Sequence, residues 1–332
     1  MPVTRAVDER ALELFEQHLT RFLATNARRE PVAAQIAYHF GLDDPSAARQ
    51  GKRVRPRLVM GAAAAYGARA ERTLAACTAI ELLHNYSLLH DDIEDGDELR
   101  HGRRALWAQY GLEHGINGGD AVGALAQLAL EPVIDTHGAE IAFVMSMDLA
   151  RANLRLCEGQ ALDLALAQGR GAQATLDTYL EMIDGKTAAL FGCAAAMGAA
   201  CASAAAEEVE RSRDVGRLFG LGFQIADDVA GIWGTTQATG KAPGGDLARR
   251  KKTYPVLWVI DRDPDGAGRE IARAYQGTAD PDPAAAQRVR DVLDSCGAYA
   301  ASRAAADTYF EEALDRALGT PSLRDFVVLN RT

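Results

Sequence analysis

Apolar side chains recur every three to four residues along almost the whole of this 332-residue chain, and that period admits helices and little else. Leu12, Phe15, Leu19, Phe22 and Leu23 already share one helical face. The spacing predicts helices over about 53–66 and 74–95, then over roughly 119–134, 139–167, 174–202, 205–232 and 251–262, with others near 284–296 and 300–317. No strand-like alternation of useful length and no repeat of fixed period interrupts them. Alanine is abundant and aromatic residues make up only 6%, which favours helix over strand. Breaks are expected at 41–46, 96–102, 111–119 and 234–245, and a surface loop at 263–283, because the helical pattern resumes beyond it. The expectation is a single all-α domain over residues 1–332 with roughly ten or more helices.

A formal net charge of −10 disfavours general attraction to nucleic acid or an anionic membrane. An anionic substrate would need a local basic site or bound metal ions. Five scattered cysteines, none in a CxxC pair, read as small buried hydrophobes in a reducing compartment. Arg5, Asp8, Glu9, Arg10, Glu13 and Glu16 stand where a signal peptide needs apolar residues, and no run reaches the roughly 18–20 apolar residues of a membrane span. A cytoplasmic protein is expected.

Six acids crowd into the eight positions from Asp91 to Glu98, directly after an apolar helical run. Asp91 and Asp95 are one turn apart, with Asp92 about 100° round the axis, so three carboxylates share one sector at the helix C-terminus. The helix dipole is negative there, so the stack is unfavourable unless something positive binds. A solvated acidic turn is the alternative. Asp227 and Asp228 again follow an apolar helix, and two such pairs suit hard cations such as Mg²⁺, which also recruits phosphate oxygens. Basic groups lie at similar element ends: Lys52, Arg53 and Arg55; Arg100, Arg103 and Arg104; Lys186; Lys241; and the run 249–252. Metal-held phosphate on one side and Lys/Arg-held phosphate on the other describe a site for two phosphate-bearing molecules.

These residues resemble the trans-isoprenyl diphosphate synthases, or polyprenyl synthetases. GKRVRP, LLHNYSLLHDDIED, EGQALDL at 158–164, GKTAALFG, GFQIADD and GKAPGGDL followed by KKTYP occur in the family's order between about residues 50 and 255. The resemblance implies an all-α bundle around a central cavity, in a homodimer. It implies an allylic diphosphate that ionises with the help of Mg²⁺, typically three ions, and is attacked by isopentenyl diphosphate. The released diphosphate takes the proton, so no histidine base is needed. By position in the motifs, Asp91, Asp92, Asp95 and Asp227 match metal ligands and Asp228 an outer or weaker one. Arg100, Lys186 and Lys241 match groups holding the allylic diphosphate, and Thr187 and Gln224 match polar groups beside the reacting carbons. Lys52, Arg55 and His84 match the isopentenyl diphosphate site.

The chain departs from the family pattern at three places. His101 stands where a second permanent cation is usual, with Arg103 or Arg104 as candidates for the missing charge. Asp227-Asp228-Val229-Ala230-Gly231 lacks the fifth-position acid of a full DDxxD, and Glu94 is an extra acid expected to face solvent. A class I terpene cyclase shares the fold and first acidic motif, but needs no isopentenyl diphosphate site and carries an Asn/Ser/Glu triad that is not found over 219–235. A non-catalytic partner subunit would not need intact acids at 91, 92, 95 and 227. In the family, bulk four and five residues before the first acid limits chain growth. Ser87 and Tyr86 hold those positions, with Leu83 and Leu82 a turn below, implying a twenty-carbon product, with fifteen carbons the next reading.

Overall fold

The computed structural model describes residues 9–44, 51–168, 174–234, 245–275 and 283–331. Nearly every element is helical, as the period requires. In chain order these are α1 (Glu9–Asn26), α2 (Val32–His39), α3 (Val54–Ala65), α4 (Leu74–Glu94), a ribbon of β1 (Leu99–Arg100) and β2 (Arg103–Arg104), α5 (Leu106–Tyr110), α6 (Leu112–Leu128), α7 (Val133–His137) and α8 (Ala139–Gln168). Then come α9 (Leu176–Ile183), a π turn (Asp184–Ala188), α10 (Ala189–Cys201), α11 (Ala206–Trp233), α12 (Gly245–Ala248), α13 (Tyr254–Arg262), α14 (Ala267–Ala274), α15 (Pro283–Ser295), α16 (Ala298–Arg316) and α17 (Pro321–Asn330). The residues gather into two compact units, one from Met1–Asn153, Cys193–Arg213 and Ala317–Phe326, the other from Leu154–Gly192, Asp214–Arg316 and Val327–Thr332.

In the first unit α4 is the interior helix. Every residue from Ala76 to Leu83 is buried, so no face of that stretch is left for solvent. Glu81 lies within it, and its charge is met by Arg53, whose Nη1 is 2.5 Å from Glu81 Oε1 and whose Nε is 2.7 Å from Glu16 Oε1 on α1. α1 turns Phe15, Leu19 and Leu23 inward, three of the five residues its sequence pattern singles out.

The break expected over 111–119 is in fact the first half of α6. Its glycines cost helix propensity, but they are the surface that meets α4 and α5. A methyl group at Gly115 would stand 2.6 Å from Trp107 Cβ, one at Gly119 would run into the His90 ring, and one at Gly123 would stand 3.0 Å from Tyr86 Cδ2. Close packing decides that segment, which a local reading of glycine cannot see. The break at 96–102 is a tight ribbon instead. Leu99 pairs with Arg104 and Arg100 with Arg103, and the turn residues His101 and Gly102 both have positive φ, 50° and 79°, as the twist of a two-residue hairpin loop demands.

In the second unit a core cluster holds Ile232, Leu247, Val256, Val259, Ile271, Val289 and Leu293. Ile271 comes from α14, inside the 263–283 stretch expected to be loop. Asp263 starts that helix: Oδ1 accepts from Gly266 N at 3.0 Å and Oδ2 from Ala267 N at 2.7 Å. One cap and one deep anchor suffice for two turns, too short a stretch for periodicity to register. All five cysteines are free. Cys77, Cys193 and Cys201 are buried as expected, whereas Cys157 is exposed and Cys296 half-buried. No helix among the described residues is long and apolar enough to cross a membrane.

Candidate functional site

The chemistry of the first unit collects where α4 ends. Asp92 faces inward at 1% exposure, Asp91 is half-buried, and Asp95 and Glu94 are exposed, as a 100° step per residue dictates. Arg100, delivered by the β-ribbon, grips Asp92 with two donors of its fork: Nε lies 2.8 Å from Oδ1 and 3.0 Å from Oδ2, and Nη2 lies 2.5 Å from Oδ1. Burial still raises the Asp92 pKa, Arg100 opposes it, and the charges of Asp97 and Asp95 push it higher. The turn is therefore over-supplied with negative charge. Among the described residues no set of three His, Cys, Asp or Glu side chains is already arranged around a metal position. The donors are nonetheless hard carboxylate oxygens whose mutual repulsion a divalent cation would relieve, so the residues fit such an ion.

A cavity beside this turn is lined by His39, Arg53, His84, Asn85, Arg100 and His101, among others. Desolvation drives the His84 pKa well below 6.5, helped by the charges of Arg55, Arg100 and Arg53. His84 is thus a neutral hydrogen-bonding group at pH 7. Burial also lowers Arg55, to about 10, against the opposing pull of Glu81. Lys52 is exposed at the N-terminal side of α3.

His39 was not among the residues singled out from the sequence. Its Nε2 is 3.0 Å from Asn85 Oδ1, while Asn85 Nδ2 donates to the Glu81 carbonyl at 2.8 Å, which fixes the amide and makes His39 the donor. Burial lowers His39 to about 4, partly offset by that hydrogen bond. The only local signal was the short apolar stretch AQIAYHF before GKRVRP; the pairing with Asn85 spans 46 residues. Arg103, a candidate for the charge missing at 101, is already engaged: Nη2 lies 2.9 Å from Asp43 Oδ2 and the guanidinium stacks 4.2 Å from the Tyr38 ring centroid. Arg104 is exposed. Ser87 donates to the His84 carbonyl at 2.8 Å, and the Tyr86 ring meets His90 edge-on at 4.7 Å.

In the second unit two glycines bring two of the sequence motifs together. A methyl group on Gly185 in the π turn would stand 2.6 Å from Arg155 O, and one on Gly159 of α8 would run into the Lys186 backbone nitrogen. Backbone-to-backbone approach sets Lys186 Nζ 2.5 Å from Asp163 Oδ2, joining GKT to EGQALDL. π turns accommodate an extra residue and often mark functional sites. The same turn carries Thr187, whose Oγ1 donates to Gln224 Oε1 on α11 at 2.8 Å.

The second acid pair divides as the first does. Asp227 is exposed and Asp228 is 7% exposed. Asp228 Oδ1 accepts from Gln224 Nε2 at 3.0 Å, and Oδ2 accepts from the Tyr179 hydroxyl at 2.6 Å and Tyr254 N at 2.9 Å. Burial pushes its pKa up to about 7 despite those donors. Lys252 donates to the Leu166 carbonyl. Lys241 lies outside the described residues.

Residues 44–293 match the family model of polyprenyl synthetase. The chain belongs to the polyprenyl synthetase family. It is 38% identical to the geranylgeranyl diphosphate synthase of Mycobacterium tuberculosis over 295 residues, covering 88% of this chain and 83% of that enzyme. It is also 38% identical to a (2E,6E)-farnesyl diphosphate synthase of Mycobacterium bovis over 241 residues, 71% of this chain and 65% of that one. A polyprenyl synthase from Caulobacter crescentus, complexed with calcium and isoprenyl diphosphate, superposes with a TM-score of 0.80 at 27% identity over 99% of both chains. The all-α fold is that of the isoprenyl synthases, and the chain is a prenyltransferase. Polyprenyl synthetases as a family depend on Mg²⁺.

Proposed function

We propose that this prenyltransferase condenses isopentenyl diphosphate with an allylic diphosphate to give a short all-trans prenyl diphosphate, of twenty carbons before fifteen. The observation that carries the reading is the cavity at α4, where Arg53, paired to Glu16 and Glu81, and Arg100, paired to Asp92, meet the neutral His84. A second diphosphate needs such a place, and a cyclase acting on one diphosphate has no use for it. Lys52, Arg55, His84 and His101 serve isopentenyl diphosphate; Arg100, Lys186 and Lys241 serve the allylic one. Asp91, Asp95 and Asp227 are the carboxylates that would hold Mg²⁺, with three ions expected, while Asp92, buried under Arg100, adds its charge beside them. When bound, Mg²⁺ supplies positive charge to the leaving diphosphate oxygens.

The chain's own residues do the rest. Lys186 is held against Asp163 and Arg100 against Asp92, so each cation is oriented before substrate arrives. The allylic C1–O bond breaks with its electron pair passing to diphosphate, and the C3–C4 double bond of isopentenyl diphosphate closes on C1. Thr187 and Gln224 turn oxygen atoms toward the cation formed in between, and the departing diphosphate accepts the C2 proton. Tyr86, wedged against His90 and Gly123, limits chain growth.

The two units are read as parts of one domain, since α8, α10 and α11 each give residues to both. A homodimer is supported by the apolar side chains that α8 leaves exposed, Phe143 at 67% and Leu154 at 61%, with Val144 and Met147 beside Phe143. Free thiols fit a cytoplasmic setting. The deciding experiment incubates the protein with Mg²⁺ and dimethylallyl, geranyl or farnesyl diphosphate, with and without isopentenyl diphosphate. Elongated prenyl diphosphates that require isopentenyl diphosphate are expected. A hydrocarbon released without it would overturn the proposal in favour of cyclisation.

A further inference from the structure

Asp228 belongs to an acidic motif, yet its surroundings in the second unit are those of an anchor. Both oxygens accept hydrogen bonds from three protein donors: the Tyr179 hydroxyl and Tyr254 N on Oδ2, and Gln224 Nε2 on Oδ1. Tyr179 is 1% exposed, and its hydroxyl is spent on this carboxylate. The consequence lies one bond further on. An amide has one donor end and one acceptor end. As a carboxylate Asp228 can only accept, so Gln224 Nε2 must donate to it, Oε1 must face Thr187, and the Thr187 hydroxyl must spend its proton on Oε1 at 2.8 Å.

We infer that Asp228 and Tyr179 are positioning residues that fix which end of the Gln224 amide faces Thr187, so that oxygen lone pairs rather than N–H and O–H dipoles are offered to the developing allylic cation. The inference rests on the reading that Thr187 and Gln224 stand beside the reacting carbons. It removes Asp228 from the metal ligands and gives the buried Tyr179 a part in turnover. Dipoles that need no reorganisation during the reaction are the strongest source of such stabilisation, and reversing one amide would reverse their sign.

The test is Asp228→Asn. The Oδ2 position faces a backbone N–H, so the new carbonyl must stay there and the new NH₂ must take the place of Oδ1. Gln224 then has to flip, presenting Nε2 to Thr187. Turnover, read as diphosphate released from farnesyl diphosphate with and without isopentenyl diphosphate, should fall about a hundredfold at saturation. KM for both substrates should stay within about twofold, as should the affinity for Mg²⁺ with inorganic diphosphate measured by calorimetry, because only transition-state stabilisation is lost. Tyr179→Phe keeps the shape and one donor on Oδ2, and should cost about tenfold in kcat with the same unchanged constants. Combining the two should cost no more than Asp228→Asn alone, since both act through one amide.

Wild-type turnover from Asp228→Asn, or from Tyr179→Phe should the first variant not fold, overturns the inference. So does a tenfold loss of Mg²⁺–diphosphate affinity, which would return Asp228 to the metal. A wild-type enzyme that releases diphosphate without isopentenyl diphosphate would instead overturn the condensation proposal, while the variant comparison stays readable.

Discussion

Gly185→Ala should separate stability from turnover in this enzyme. The added methyl would sit 2.6 Å from Arg155 O and 3.0 Å from Gly159 Cα, so the π turn must recede from α8 by about 0.8 Å to reach ordinary contact. Both atoms it meets are backbone, and neither can rotate away. Such overpacking costs about 1–3 kcal/mol, while replacing a helical glycine by alanine returns about 1 kcal/mol. The net loss of stability is therefore small, about 0–2 kcal/mol. The turn carries Lys186 and Thr187, however, and a shift approaching 1 Å in a positioned group costs about a hundredfold in rate. Gly61→Ala is the internal control: it too lies in a buried helix, but its nearest neighbours are Phe326 Cβ at 3.7 Å and Ser322 O at 3.8 Å, so it should be neutral or stabilising with full activity. Thermal unfolding and steady-state kinetics on both variants decide the matter. Wild-type kcat in Gly185→Ala, or a loss that only mirrors unfolding, would refute the close approach as the device that places Lys186 and Thr187.

Three other outcomes are expected. His39 is held at about 4, below its unfolded value of 6.5, so its contribution is complete above pH 6.5 and is lost as pH falls toward 4, by on the order of 3 kcal/mol; His84 shifts the same way, and His39→Gln should flatten the acid side of a Tm-against-pH profile, an unchanged profile counting against the assignment. His101→Arg restores a permanent charge at a turn residue with φ 50° and should lower KM for isopentenyl diphosphate a few-fold above pH 7 with little change in Tm; a large loss of activity would mean that the imidazole itself is needed. Phe143→Asp places a charge in the exposed apolar stretch of α8 and should shift sedimentation toward monomer at micromolar concentration without lowering monomer helicity, whereas an unaltered assembly would place any dimer contact elsewhere.

Much of the fold follows from local information. A 3.6-residue period survives any tertiary arrangement, so the long helices α3, α4, α8 and α11 fall within a few residues of where the pattern puts them. The acid motifs were equally plain, because charge at the wrong end of an apolar helix is unfavourable within the helix itself. Where local and tertiary terms compete, the sequence misleads. Gly115, Gly118 and Gly119 read as a break but form the seam of α6 with its neighbours, and Ile271 lies in an apparent loop yet anchors α14. The partners of polar groups are set by distances across tens of residues, which no local pattern encodes. Only the folded chain couples His39 to Asn85, ties Arg103 to Asp43, and seals Asp228 under Tyr179 while leaving Asp227 exposed. The residue types of the site are thus written in the sequence, whereas which of two adjacent carboxylates meets solvent and which holds an amide in place is decided by packing.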